Sequence, residues 1–264
     1  MQSLLKRRLK SALGRVAGMA GLYNRDFRSK LTIMAFHRVN PQLPDDGITC
    51  SPVKFEAFCD FFQEHFRVVP LAVQIEACRA GAAMGGTLSI TFDDGYLDSF
   101  EVAAPILRRR AMPATFFVTT GFIGSTVVPP WDYALKQQPG WMSWNHLRKL
   151  AAQGFAVANH TETHLDMGSA SVDDVRRDLQ TAKRKLREEV GVEKQLFAYP
   201  FGGPENLSAR SLGLVREEEF LCCVSCFGGS NAPVTDPYQL RRIAVAEWFW
   251  SPHQFGLEML SGAA

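Results

Sequence analysis

The chain has 264 residues, a length that suits one large domain and that single α/β barrels commonly reach. At 46% hydrophobic and 21% charged residues it is ordinary globular material with enough apolar side chains for a sizeable core. The net charge of +2 conceals an asymmetry: residues 1–30 hold eight Lys and Arg against one Asp, leaving 21 basic and 26 acidic residues in 31–264, a net of −5 there. A mildly acidic body argues against a nucleic-acid-binding surface.

The basic leader, residues 1–30, is set apart from a main domain expected over 31–264. It does not read as a secretory signal, because Arg15 breaks the apolar run after the first positive residues. No stretch approaches the roughly 20 apolar residues of a membrane span. Leu5, Leu9, Leu13 and Val16 recur at helical spacing beside cations, as in a helix lying on an anionic membrane surface. A helix that merely covers the floor of the body fits the same pattern. The expectation is a cytoplasmic protein with peripheral membrane contact through residues 1–20.

In chain order, Leu31 to Phe36 is a strand that ends on His37. Ser51-Pro52 marks a helix start, and Phe55, Phe58, Cys59 and Phe62 form its apolar face. A short strand over Phe66 to Pro70 and a helix to Ala80 follow, then a Gly-rich loop. Thr87 to Phe92 alternates small or polar with apolar residues and stops on Asp93-Asp94-Gly95, before a helix from Asp98 to Arg110. Read alone, Asp-Gly is an ordinary turn. Pro113 to Thr119 is an apolar strand, Gly121 to Gly140 an insertion loop, and Ser143 to Gly154 a capped helix. Phe155 to Asn159 is a strand ending on His160. Val172, Val175, Leu179, Ala182, Leu186 and Val190 trace one helical face closed by Gly191. Gln195 to Tyr199 is a strand, Ser208 to Glu219 a helix, and Leu221 to Phe227 and Leu240 to Val245 the last strands. Cys223-x-x-Cys226 has metal or redox spacing, but it lies in that apolar strand with no second pair, so a buried structural role is expected.

Alternating strands and helices imply βα units and a parallel sheet, and about seven strands favour a barrel or distorted barrel over an open sheet. No GxGxxG follows the first strand and no GxxxxGK[ST] occurs, so nucleotide-phosphate binding has no support. His37, Asp93-Asp94, His160 and Tyr199-Pro200-Phe201-Gly202 each come directly after a strand. In a parallel barrel these points open on one face, the face where such folds place chemistry. His160-Thr161-Glu162-Thr163-His164 reads as two imidazoles one helical turn apart, able to face one cation. Two His with one carboxylate leave open positions, as a catalytic metal site requires.

These residues resemble the polysaccharide deacetylase family, the NodB-homology domain of carbohydrate esterase family 4. Thr91-Phe92-Asp93-Asp94-Gly95-Tyr96 corresponds to its first motif, His160 to His164 to its second, and Tyr199-Pro200-Phe201-Gly202 to the end of its third, over roughly residues 31–250. The resemblance implies a distorted (β/α)7 barrel and a metal-dependent hydrolase of non-peptide carbon–nitrogen bonds. Its substrate would be an N-acetylated sugar in a polysaccharide, an oligosaccharide, or a lipid- or nucleotide-linked intermediate. It further implies Asp94, His160 and His164 as metal ligands, Zn2+ first, with Co2+, Ni2+, Fe2+ and Mn2+ as alternatives. Asp93 would be the base on the attacking water, and the Phe201 N–H would hold the oxyanion.

The general acid usually comes from a Leu-x-His motif late in the domain. Here the late region has only His253, whereas His37 in Met34-Ala35-Phe36-His37-Arg38-Val39 resembles the circularly permuted form, so His37 is expected to be the acid. The Arg that normally begins the third motif is replaced by Ala198. Arg242 is a candidate to hold Asp93 in its place, and a surface Arg at a strand end is the alternative. The missing Arg leaves room for hydrolysis of cyclic imides or ureides, and a non-catalytic carbohydrate-binding relative is a third reading. Asp98 and Thr161 are expected to orient ligands, and Trp131, Trp248 and Trp250 either stack on sugars or pack.

Overall fold

A computed structural model describes residues 2–262 apart from 83, 138, 139 and 234. Two helices, α1 (Gln2–Met19) and α2 (Leu22–Phe27), precede the alternating body. The body runs β1 (Leu31–Phe36), β2 (Arg38–Val39), β3 (Thr49–Cys50), α3 (Pro52–His65), β4 (Arg67–Val68), α4 (Leu71–Arg79) and β5 (Thr87–Phe92). It continues with α5 (Ala104–Arg109), β6 (Ala114–Val118), α6 (Pro130–Ala134), α7 (Trp144–Ala152), β7 (Ala156–Asn159) and α8 (Val172–Val190). It ends with α9 (Ala209–Glu217), β8 (Val224–Gly228), β9 (Leu240–Ala244) and α10 (Pro252–Ser261). No helix among the described residues is long and apolar enough to cross a membrane.

The main sheet is parallel throughout, in the order β7-β6-β5-β1-β9-β8. β1 pairs with the whole of β5, so β4 and β6 share the other edge of β5, β4 at its start and β6 at its end. The strand expected at 195–199 is reduced to isolated bridges: Phe197 to Asn159 on one side and Ala198 to Val224 on the other. The sheet curls into a distorted barrel that does not close as a continuous ladder, and single bridges span the gap between β7 and β8. The helix expected from Asp98 also differs at its start. Ser99–Ala103 is a π-helical turn before α5, and Ser99 Oγ donates to the His37 carbonyl oxygen at 2.8 Å.

Successive strand residues point to opposite faces, so each strand carries an inner and an outer row. The outer rows, including Met34, Phe36, Leu88, Ile90, Phe92, Phe116 and Ile243, pack against the helices with Phe55, Phe58 and Phe62 of α3. A buried Phe of this kind stabilises the fold by roughly 1.5–3 kcal/mol. The inner rows hold a smaller core that includes Leu31, Ile33, Phe117, Ala158, Leu196, Ala198, Val224 and Leu240. Extending the inner rows by period two reaches His37 from β1, Asp93 from β5, His160 from β7, Cys226 in β8, and Arg242 and Ala244 in β9. The alternation of Thr87, Ser89 and Thr91 is therefore the inward row of a strand buried on both faces.

Candidate active site

Arg242 is fully buried inside the barrel, with 0% exposure, and not at the surface. Its Nη1 donates to Asp93 Oδ1 at 2.7 Å and to Thr91 Oγ1 at 2.9 Å, and its Nη2 donates to Asp93 Oδ2 at 2.6 Å. Nε donates to the Ser225 carbonyl oxygen, and the guanidinium carbon lies 5.4 Å from the centre of the Phe117 ring. Planar two-point pairing of this kind fixes both position and orientation of the carboxylate. Burial alone would push the Asp93 carboxyl up, but the charge of Arg242, with His160, outweighs it and holds the group below the usual carboxylate range.

Asp94 turns away from Asp93 through a left-handed backbone (φ 72°) and meets the two imidazoles. Its Oδ1 lies 3.4 Å from His160 Nε2 and 3.3 Å from His164 Nε2. One ligand atom from each of the three residues lies within 4.8 Å of the others. His160 Nδ1 donates to the Ala198 carbonyl oxygen at 2.8 Å, so the proton is on Nδ1 and Nε2 offers its lone pair. Asp94 Oδ1 is buried without a hydrogen-bond partner among the described residues. A stranded carboxylate oxygen facing the Nε2 atoms of two imidazoles, that of His160 freed by its Nδ1 hydrogen bond, is the donor set of a divalent cation, so the residues fit a metal ion.

The His160–His164 segment is not a helical turn as the spacing suggested. It is an irregular bend with positive φ at Thr161 (68°) and His164 (58°). Asp178 of α8 holds it in place: Glu162 N donates to Oδ1 at 2.6 Å, and Thr163 N and Oγ1 donate to Oδ2 at 3.1 and 2.6 Å. The other side of the bend runs along 118–121, where His160 N donates to the Val118 carbonyl oxygen and Gly121 N to that of Glu162. A Cβ on Gly121 would sit 2.4 Å from the Glu162 oxygen, so the close approach requires glycine there.

A cleft of about 530 Å³ opens over these groups. Its lining includes His37, Asp93, Asp94, Tyr199, Phe201 and Cys226, with Trp131, Phe227 and Trp248 at the walls. Trp131 and Phe201 flank the His164 ring, each with its ring centre 4.6 Å away. Phe201 has a left-handed backbone (φ 60°), and its N–H has no acceptor among the described residues. Trp131 reaches the cleft because α6 is pinned: Arg38 Nη1 donates to Asp132 Oδ1 at 2.7 Å, Tyr96 Oη donates to Asp132 Oδ2 at 2.8 Å, and Trp131 Nε1 donates to Tyr96 Oη at 2.8 Å.

His37 stands in the cleft with no side-chain hydrogen bond among the described residues, and burial draws its imidazole pKa down against the pull of Asp94 and Asp93. His253 lies elsewhere, on α10, with its ring against Phe61. Asp98 does not reach the imidazoles. It accepts from Val39 N at 3.3 Å and Asn40 Nδ2 at 3.0 Å, and so fastens the chain that follows His37. Thr161 Oγ1 is buried without a partner among the described residues, while its N–H donates to Asn159 Oδ1. Trp250 is outside the cleft lining, under the Arg8 guanidinium.

Donor atoms of His37, Asp93 and Cys226 also lie within 4.8 Å of one another. Both Asp93 oxygens are already taken by Arg242, and burial pushes the Cys226 thiol up to about 12, so it stays a neutral thiol. That trio is poorly suited to a cation. All six cysteines are free.

Fold and site together define a parallel α/β hydrolase with a carboxylate–imidazole pocket at the C-terminal ends of its strands. A family model for polysaccharide deacetylase matches residues 81–216, and the chain belongs to that family. It is a hydrolase acting on carbon–nitrogen bonds other than peptide bonds. The Bacillus subtilis protein YxkH is 20% identical over 220 residues, 83% of this chain and 72% of its own length. A chitooligosaccharide deacetylase of Sinorhizobium fredii is 37% identical over 99 residues, 37% of this chain and 38% of its own length. Among solved structures, IcaB from Ammonifex degensii superposes with a TM-score of 0.73 at 22% identity, over 87% of this chain and 97% of that one. The deacetylase PplD of Streptococcus pyogenes, in complex with acetate, gives 0.73 at 19% identity, over 86% and 96%.

Proposed function

We propose that the protein is a metal-dependent N-deacetylase of an N-acetylated sugar, in an oligosaccharide, a polysaccharide or a carrier-linked intermediate. The observation that carries this is the convergence of Asp94 Oδ1, His160 Nε2 and His164 Nε2 on one point beside an Asp93 locked by Arg242. A divalent cation on those three ligands, zinc or another first-row ion, would supply Lewis acidity that polarises the acetyl carbonyl and makes a water acidic.

Asp93 takes the proton of the attacking water. Its low pKa keeps it ionised and ready at neutral pH, and Arg242 keeps it from rotating away. The Phe201 N–H, free of any acceptor among the described residues, stabilises the oxygen that becomes negative. His37 gives a proton to the departing amine. A depressed pKa makes the protonated imidazole a strong acid, suited to a brief role within the cycle. On this reading the acid comes from the first strand, as in a permuted motif order. The aromatic walls, Trp131, Phe227 and Trp248, provide flat apolar faces on which pyranose rings stack.

Acetate is bound in the structurally similar S. pyogenes deacetylase, and acetate is the product this site would release. The imide or ureide alternative rested on the Arg missing at Ala198. With Arg242 paired to Asp93, no observation favours it. The test is acetate release from N-acetylglucosamine oligomers by the metal-loaded protein beside Asp93→Asn. Release by the wild type and not by the variant supports the reading. Equal behaviour of the two contradicts it.

A further inference from the structure

Helix α1 uses two opposite faces. One rests on α10 and is made of small residues. A Cβ on Gly14 would lie 1.9 Å from the His253 carbonyl oxygen, and one on Gly18 would lie 2.9 Å from the Tyr23 ring. Tyr23 Oη donates to the Gly14 carbonyl oxygen at 2.5 Å, Ser11 Oγ meets Ser251 Oγ at 2.6 Å, and Lys10 pairs with Glu258 at 2.7 Å. These contacts fix the rotation of the helix about its axis.

The fixed rotation turns Leu5, Leu9, Ala12, Leu13 and Val16, spaced i, i+4, i+7, i+8 and i+11, toward solvent. Leu5 is 71% exposed, Val16 63% and Met19, at the end of the stripe, 85%. A helix hydrophobic on the side away from its own protein marks a surface meant to be covered. Its charged side chains, Lys6, Arg7, Arg8, Lys10 and Arg15, are all basic. By helical position, Lys6 flanks one edge of the stripe and Arg8 and Arg15 the other, while Lys10 is turned back to Glu258.

We propose that α1 docks the protein on an anionic lipid surface, with the Leu5–Leu9–Leu13–Val16 stripe in the interface and the flanking cations among acidic headgroups. Charge complementarity selects this occupant. Cations on both edges of an apolar stripe suit a negatively charged bilayer. A second copy of the chain pairing stripe to stripe would bring like charges together. The acidic body, net −5 over residues 31–264, is repelled by the same surface, so the contact stays confined to α1. The docked helix is also tied to the cleft. The Arg8 guanidinium lies 5.7 Å from the centre of the Trp250 ring, two residues from Trp248 in the cleft wall.

The full chain is sedimented with vesicles of phosphatidylcholine alone and with phosphatidylglycerol added, with acetate release from soluble N-acetylglucosamine oligomers measured in parallel. Removing α1 would strip α10, so exposed point variants are used. Wild-type protein is expected to bind the anionic vesicles and to be released by about 0.5 M salt. Leu9→Glu/Leu13→Glu and Lys6→Glu/Arg15→Glu are each expected to bind roughly tenfold or more weakly, with unchanged release from soluble oligomers. Vesicle binding unchanged in Leu9→Glu/Leu13→Glu, or absent from the wild type, would overturn the proposal. So would a wild-type dimer in vesicle-free solution that becomes monomeric in that variant, because a second copy then covers the stripe. Vesicle binding is read without turnover, so the result stands apart from the deacetylase reading.

Discussion

Arg242 and Asp93 form a buried two-point ion pair across the barrel, between residues 149 apart in the chain. The pair holds in one orientation a carboxylate whose pKa burial alone would raise. Removing the cation leaves a buried carboxylate unpaired, which costs about 3–5 kcal/mol. Arg242→Met is expected to be destabilised by that order in urea unfolding and to lose acetate release by roughly 100-fold or more. The double variant Asp93→Asn/Arg242→Met removes both charges, so it should regain much of the stability and none of the activity. A double variant as unstable as the single one would mean that Arg242 acts through packing on Phe117 and not through Asp93.

Asp178 touches neither the cleft nor a proposed ligand, yet its carboxylate takes three hydrogen bonds from Glu162 and Thr163 between His160 and His164. Groups that hold ligands in place typically contribute 10–100-fold to metal affinity. Asp178→Ala is expected to weaken metal binding by about that factor in chelator competition, with the fold retained. Activity should return at higher metal concentration. Unchanged affinity would show that the 118–121 contacts alone fix the bend.

The half-buried Asp98 carboxyl, which holds Val39 and Asn40 of the chain after His37, is pushed up to about 6, mainly by burial, against the N–H groups of Asn40 and Val39 and the charge of Arg38. A carboxyl with a raised folded pKa binds its proton more tightly when folded. Its favourable contribution is present near pH 4 and is lost as the pH rises through about 6. Partial exposure limits the change to about 1–2 kcal/mol. Asp98→Asn removes this titration, so the stability of the wild type relative to the variant should fall by that amount between about pH 4 and pH 7. Urea unfolding across this range measures it, and parallel curves would contradict it.

The sequence made the strand ends legible because period-two alternation fixes which residues face inward. His37, Asp93 and His160 are the next inward residues after β1, β5 and β7, and the same counting along Leu240-Arg241-Arg242 places Arg242 inside. The strand at 195–199 was less regular than its apolar content implied. Leu196 and Ala198 are buried, but the chain touches each neighbour only at isolated bridges. The bend at His160–His164 differs from the helical turn its spacing suggests, because spacing alone cannot distinguish such a turn from a loop that returns to the same place. Its clamp did leave a trace, since Asp178 is a carboxylate beside Val175, Leu179 and Ala182 on the buried face of α8. The Arg38–Asp132–Tyr96 network left none, because its partners are up to 94 residues apart and each reads as an ordinary polar residue.

The most direct test of the proposed chemistry is acetate release from N-acetylglucosamine oligomers, with and without chelator, for the wild type, His37→Ala and His253→Ala. Release is expected that chelator abolishes and added Zn2+ or Co2+ restores. That release should collapse in His37→Ala and persist in His253→Ala, whose ring packs on Phe61 away from the cleft. Release that survives both chelator and His37→Ala would contradict the assignment of the Asp94–His160–His164 pocket and of the acid.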